Sequence, residues 1–111
     1  MLLRESEFVK IRVAVPVPQA DEIRRVLNEA GASRQGNYEF ASGSARIVGR
    51  FRPRAGAQPA IGRVGQIEEV EEEVIETLCH RDMVAAVVAA VRKAHPYEEP
   101  PIDIIPRLEV D

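Results

Sequence analysis

Twice along this chain a run rich in β-branched residues gives way to an apolar stripe at helical spacing. That repeated switch of period restricts the fold more than any other feature. From Val9 to Val17 every odd position is apolar (Val9, Ile11, Val13, Val15, Val17), and Lys10 and Arg12 fall between them. Strict alternation reads as a half-buried strand, ended by Pro16 and Pro18. Over Gln19 to Ala30 the apolar residues move to i, i+3, i+4 and i+7: Ile23, Val26, Leu27 and Ala30. That stripe predicts a helix with Asp21 and Glu22 in its first turn, where the dipole favours negative charge, and Gly31 just past its end. The second unit begins with Val70 to Cys79. One face of that strand would carry Val70, Glu72, Val74, Glu76 and Leu78, the other Glu71, Glu73, Ile75, Thr77 and Cys79. Neither alternation is clean, so the register stays open and both faces are expected to be partly covered. Asp82 is a good N-cap for the helix that follows, whose stripe is Val84, Val87, Val88 and Val91. Valine has weak helix propensity, so this helix must be held by packing. Pro96 stops it.

The segments between these units are less regular. Gly36-Asn37 is a turn signal; Tyr38 and Phe40 are expected to begin a strand that Gly43 interrupts and that Ile47 and Phe51 continue. Residues 52–66 hold Pro53, Gly56, Pro59, Gly62 and Gly65 and read as a long loop. Loops of that length in small domains are usually either functional or mobile. Ile102, Ile104 and Ile105 supply a last short strand before Pro106. The order is the split βαβ of an α+β, ferredoxin-like βαββαβ sandwich, an antiparallel sheet with both helices on one face. A single domain over 1–111, with a core from about 9 to 108, fits the length, and 111 residues can bury a core without disulfide or metal. With no Trp, that core is aliphatic.

Charge and cysteine content narrow the partners. A net charge of −3 argues against nucleic-acid binding, and the central strands lack the aromatic pattern of an RNA-recognition domain. One cysteine, Cys79, excludes an internal disulfide and suits a reducing, cytoplasmic setting. The first ten residues contain Arg4, Glu5 and Glu7 and are too polar for a secretory signal. The longest apolar run, Met83 to Val91, is nine residues and too short to span a bilayer, so no membrane role is expected. GxGxxG, GxxxxGK[ST], HExxH and GxSxG are all missing, and no nucleophile, base and oxyanion group can be placed together. The expectation is a protein that is not an enzyme.

Three features remain as candidate chemistry. Between Phe40 and Gln66 there are five arginines (Arg46, Arg50, Arg52, Arg54, Arg63) and no acid, while Glu68 to Glu76 holds six glutamates and no base. The first block can form an anion-binding loop, with guanidinium forks and glycine-supplied backbone N–H groups. Alternatively the two blocks pair with each other, across strands or between copies. The segment His95-Pro96-Tyr97-Glu98-Glu99-Pro100 brings an imidazole and two carboxylates to a helix end. It reads either as a metal or ligand site or as a helix exit shaped by two prolines. Cys79-His80 resembles a nucleophile and base, but neighbours on a strand point to opposite faces.

The order Gly31-Ala32, Gly36-Asn37-Tyr38, Phe51-Arg52-Pro53, Gly56-Ala57-Gln58-Pro59 with Ile61-Gly62, Val70-Glu71 to Glu76-Thr77, and His95-Pro96-Tyr97-Glu98-Glu99-Pro100 before Asp103-Ile104 resembles a known domain. It is similar to the PII/CutA-like domain of the YqfO branch of the Nif-like (NGG-one-interacting factor three) family, from about Lys10 to Leu108. In that family the domain is inserted in a larger di-metal protein, whereas here it is expected to stand alone. Where relatives carry a His before the Gly-Asn-Tyr and a Cys shortly after it, this chain has Arg34-Gln35 and Ala41. The resemblance implies a ferredoxin-like fold, a homo-oligomer with a trimer favoured, and a binding or regulatory module. Its ligand, a small anion, would meet Asn37, Tyr38, Arg52, Arg54, Gly56 and Gln58 on one side and His95, Tyr97, Glu98 and Glu99 on the other. Two alternatives stand beside it. One is CutA-like binding of a divalent metal as cofactor through His95 with Glu98 or Glu99. The other is a protein–protein adaptor without a small-molecule ligand.

Overall fold

The computed structural model describes residues 2–111. Four strands form the main sheet: β2 (Phe8–Pro16), β3 (Gly43–Phe51), β4 (Glu68–His80) and β5 (Ile102–Ile105), in the order β3-β4-β2-β5 with every pairing antiparallel. Helices α1 (Ala20–Ala30) and α2 (Val84–Ala94) follow β2 and β4. Short strands β1 (Leu3–Glu5) and β6 (Leu108–Val110) pair separately and bring the two ends of the chain side by side. The βαββαβ order of the four long strands is the ferredoxin-like arrangement that the two strand–helix units predict.

The core lies between the sheet and both helices. Val9, Ile11, Val13 and Val15 on β2 meet Ile75 and Cys79 on β4, Ile23 and Leu27 on α1, and Val87 and Val91 on α2. The odd residues of β2 therefore face the helices. Pairing Val9 with Cys79, Ile11 with Thr77, Val13 with Ile75 and Val15 with Glu73 decides the register that the β4 sequence leaves open. Glu73, Ile75, Thr77 and Cys79 point to the helices; Val70, Glu72, Val74, Glu76 and Leu78 point to the opposite, open face. Glu73 is tolerated on the helix side because Arg24 of α1 and Arg46 of β3 both bind its carboxylate. Thr77 donates its hydroxyl proton to the Ala41 carbonyl at 2.6 Å, so its bond at 2.8 Å to Ser33 must receive the Ser33 proton.

Three local expectations are corrected. Tyr38 and Phe40 do not begin the second strand, which starts at Gly43. Gln35 and Tyr38 close a tight turn on each other, and Phe40 has a φ of 55°. The buried Asn28 side chain explains this: its Oδ1 accepts the Phe40 N–H at 2.8 Å and its Nδ2 donates to Glu39 at 2.9 Å, tying the segment to the end of α1. Asp82 is not the N-cap. A 3-10 turn (Arg81–Met83) precedes α2, whose N-cap falls at Met83 without a side-chain bond, and His80 caps the 3-10 turn, its Nδ1 accepting the Asp82 N–H at 3.2 Å. The strands β1 and β6 carry no expectation from the sequence.

Candidate functional site

A cleft of about 980 Å³ opens on the uncovered face of the sheet. Its floor is made by Ala14, Ile47, Gly49, Phe51 and Glu72, residues that the strand register places on that face. Its walls are the loop after β3 and the segment that joins α2 to β5.

The second wall is fixed by a single residue of β2. β5 ends its pairing at Ile102, opposite Val13, so the next backbone groups of β2 need other partners. The Ala14 N–H donates to Pro101 O at 3.2 Å, and the Ala14 carbonyl accepts from His95 Nε2 at 2.7 Å. His95 Nδ1 accepts the Tyr97 N–H at 3.0 Å, so the proton sits on Nε2 and the ring is neutral. Burial agrees, since it pushes His95 below the usual histidine range. The ring lies 5.0 Å from that of Tyr97, and Tyr97 meets Phe51 edge-on at 5.8 Å.

Tyr97 then reaches into the cleft floor. Its hydroxyl donates to Glu72 Oε2 at 2.5 Å, and Glu72 is only 5% exposed. Burial first, and then the bond to Glu72, raises the Tyr97 phenol well above its ordinary range. The Glu72 carboxylate lies across Gly49 of β3, where a Cβ would come within 2.5 Å of Glu72 Cδ. Only glycine leaves that space.

The opposite wall is the 52–66 loop. The Gly65 N–H bonds to Pro53 O at 2.8 Å and closes its base, and Ala57 N–H to Arg54 O at 3.0 Å forms a tight turn around Gly56, whose φ is +96°. The Gln58 N–H meets Glu98 Oε1 at 3.3 Å, bridging the two walls. Arg52, Arg54 and Gly56 line the cleft with Tyr97, Glu98 and Glu99. Among the described residues neither Arg52 nor Arg54 has an acidic partner, in contrast to Arg46 and Arg50, which pair with Glu73 at 3.2 Å and Glu69 at 3.3 Å. The two charge blocks thus pair along β3 and β4 and separate beyond Phe51.

Of the residues expected to meet a ligand, the structure brings Arg52, Arg54, Gly56, Tyr97, Glu98 and Glu99 to one cleft. Gln58 is bound to its edge through Glu98, and His95 stands behind Tyr97 as its support. Asn37 and Tyr38 do not line the cleft; their turn follows Arg34 and Gln35, which line a separate hollow of about 260 Å³. The set His95, Glu98 and Glu99 does not fit a metal. Both imidazole nitrogens are engaged by backbone, and among the described residues no three His, Cys, Asp or Glu side chains converge. Cys79 is buried and His80 turns to the outside against Phe8, on the other side of the strand. The sequence reading missed Glu72 and Gly49, whose only signal was one glutamate in a run of six and one glycine in a strand.

Comparison with known proteins agrees with the fold. The chain is 42% identical over 101 residues to a protein of Halalkalibacterium halodurans named GTP cyclohydrolase 1 type 2 homolog, and 40% identical over 97 residues to the Bacillus subtilis protein of the same name. These alignments cover 91% and 87% of the chain but only 27% and 26% of those relatives. A Bacillus cereus protein related to NIF3 superposes with a TM-score of 0.78 at 37% identity, over 96% of this chain and 27% of that one. The chain is a homologue of one part of the NIF3-related proteins. It spans about a quarter of the length of the relatives it matches. No family model matches it. The periplasmic divalent cation tolerance protein CutA of Archaeoglobus fulgidus superposes with a TM-score of 0.65 at 22% identity, over 90% of this chain and 83% of that one. That likeness establishes the CutA-like fold of this NIF3-related domain. Among the described residues no helix is long and apolar enough to cross a membrane.

Proposed function

We propose that this domain is a non-catalytic binding or regulatory module of PII/CutA-like type, and that it holds a small anionic ligand in the cleft on the open sheet face. The observation that carries this reading is the pair Arg52 and Arg54. They line a concave site and, among the described residues, have no acid of their own, while the two arginines of β3, Arg46 and Arg50, are paired. A cleft of about 980 Å³ suits a small organic molecule. The Gly56 turn and the exposed fork of each guanidinium supply donors of the kind that hold carboxylate or phosphate.

The module is read as a homo-oligomer, with a trimer favoured. β3 is an edge strand nine residues long, and Ile47 and Val48 on it are exposed. Long uncovered edges invite pairing with another chain. The lone thiol, Cys79, supports a cytoplasmic setting.

The test is native mass spectrometry of the protein purified gently from its own host, beside the double variant Arg52→Ala/Arg54→Ala. A retained small-molecule mass that the double variant loses is the expected result. Losing one charge-assisted bond costs about 1.5–3 kcal/mol, roughly a 10- to 150-fold drop in affinity. A retained mass that is indifferent to both arginines overturns the assignment of the cleft. An oligomer that never retains a ligand favours the adaptor reading.

A further inference from the structure

Glu72 is only half satisfied among the described residues. Its carboxylate is 5% exposed and receives one hydrogen bond, from Tyr97 to Oε2. Among the described residues no fully enclosed side-chain oxygen is left without a partner. Oε1 has no donor among the described residues, keeps some exposure to solvent, and lies against Gly49 on the floor of the cleft that Glu72 lines. A buried carboxylate with half its acceptor capacity unused is costly unless a cation or strong donor reaches it.

The nearby arginines are committed elsewhere. Arg24 and Arg46 hold Glu73 on the helix face, Arg50 holds Glu69, and Lys10 holds Glu76 at 3.4 Å. The missing side chain at Gly49 makes the room that the carboxylate occupies on the cleft floor. Lining the same cleft are Arg52 and Arg54, which have no acidic partner among the described residues. The site thus has two poles of opposite sign, one an acceptor at the sheet floor and one a set of donors at the loop.

We infer that the ligand of this cleft is a zwitterion, with an oxyanion held at Arg52 and Arg54 and a cationic nitrogen held at Glu72 Oε1. This rests on the binding reading above and adds the second pole to it. A metal ion is a poor occupant of the Glu72 pole, since no three ligating side chains converge among the described residues.

The test is an NMR titration of the whole chain with ω-aminoalkyl phosphates of two, four and six carbons, each beside the alkyl phosphate of equal length. At the length that spans the cleft, the amino compound should bind about tenfold tighter than its twin. In Glu72→Gln, which keeps the shape and an acceptor for Tyr97, that advantage should fall below about twofold, with the alkyl phosphate little changed. Equal binding of the two probes by the unaltered protein overturns the zwitterion and leaves the anion site standing. If neither phosphate moves cleft resonances, the anion reading itself fails, and this inference with it. If Glu72→Gln instead changes the number of subunits, the cation belongs to a second copy of the chain, and the inference is likewise overturned.

Discussion

Replacing Gly49 by alanine tests the geometry on which the cleft depends. A methyl group there would lie 2.5 Å from Glu72 Cδ, so the carboxylate must leave its seat. The backbone at Gly49 is not left-handed, and alanine would by itself stabilise the strand by roughly 0.4–1 kcal/mol through the unfolded state. Against that gain stands the loss of the Tyr97–Glu72 hydrogen bond, about 1.5–3 kcal/mol for a charged acceptor. The difference is a destabilisation of about 0.5–2.6 kcal/mol, which in a domain this size lowers the Tm by roughly 2–20 °C. The same swing frees Tyr97 from the carboxylate that helps to raise its phenol, so Tyr97 should ionise at lower pH in Gly49→Ala. Thermal unfolding reads the first effect. Phenolate absorbance reads the second, in a Tyr38→Phe background that leaves Tyr97 as the one tyrosine. An unchanged Tm together with an unchanged Tyr97 titration would refute the packing of Glu72 over Gly49.

Three further outcomes follow from buried groups. Burial depresses His95 below its ordinary 6.5, so the unfolded chain takes up this proton first as pH falls. The contribution of His95 is therefore full above 6.5 and declines below it, and urea midpoints measured on either side should converge for His95→Gln. The Arg24 hydrogen bond, and then Arg46, hold the Glu73 carboxyl below the usual 4.5, so Glu73 stabilises the fold above that pH and less as pH drops through it. Glu73→Gln should cost about 1 kcal/mol at neutral pH and flatten the acid limb of the stability curve. Burial pushes the Cys79 thiol up, and at 1% exposure it should react with a disulfide reagent no faster than the protein unfolds. Rapid labelling of folded protein would show that β4 opens locally.

The legible parts of the fold were those with local period. Val9 to Val17 and the Ile23–Ala30 stripe each repeat one interval within a dozen residues, and each became the element its interval predicts. The misread parts depend on distant partners. Tyr38 and Phe40 carry strand-forming side chains, yet Asn28, ten residues or more upstream, draws their backbone out of the sheet. β1 and β6 are three residues each and pair between opposite ends of the chain, so neither carries a signal alone. Asp82 does not cap α2 because the chain leaving β4 first makes a 3-10 turn, which takes in Asp82 and puts the His80 imidazole within reach of its N–H. Of the site, the loop and the His95–Pro100 segment were visible as motifs. Their convergence was not, because it turns on where β5 stops pairing with β2.

The opposed charge blocks show how one composition can serve two purposes. Alternation along β4 sends Glu69 and Glu73 towards Arg50 and Arg46 on the helix side, and sends Glu72 and Glu76 to the open face. Glu76 finds Lys10 there; Glu72 sits opposite Ile47, beside Gly49, and finds only Tyr97. The arginines divide in the same way at Phe51. Those within β3 are neutralised across the strand pair, and those just beyond its end have left the ladder that would have paired them. The strand boundary separates charges that hold the sheet together from charges left over to meet a ligand. A one-residue slip of β3 against β4, by contrast, would carry Arg46 and Arg50 to the open face, away from Glu73 and Glu69.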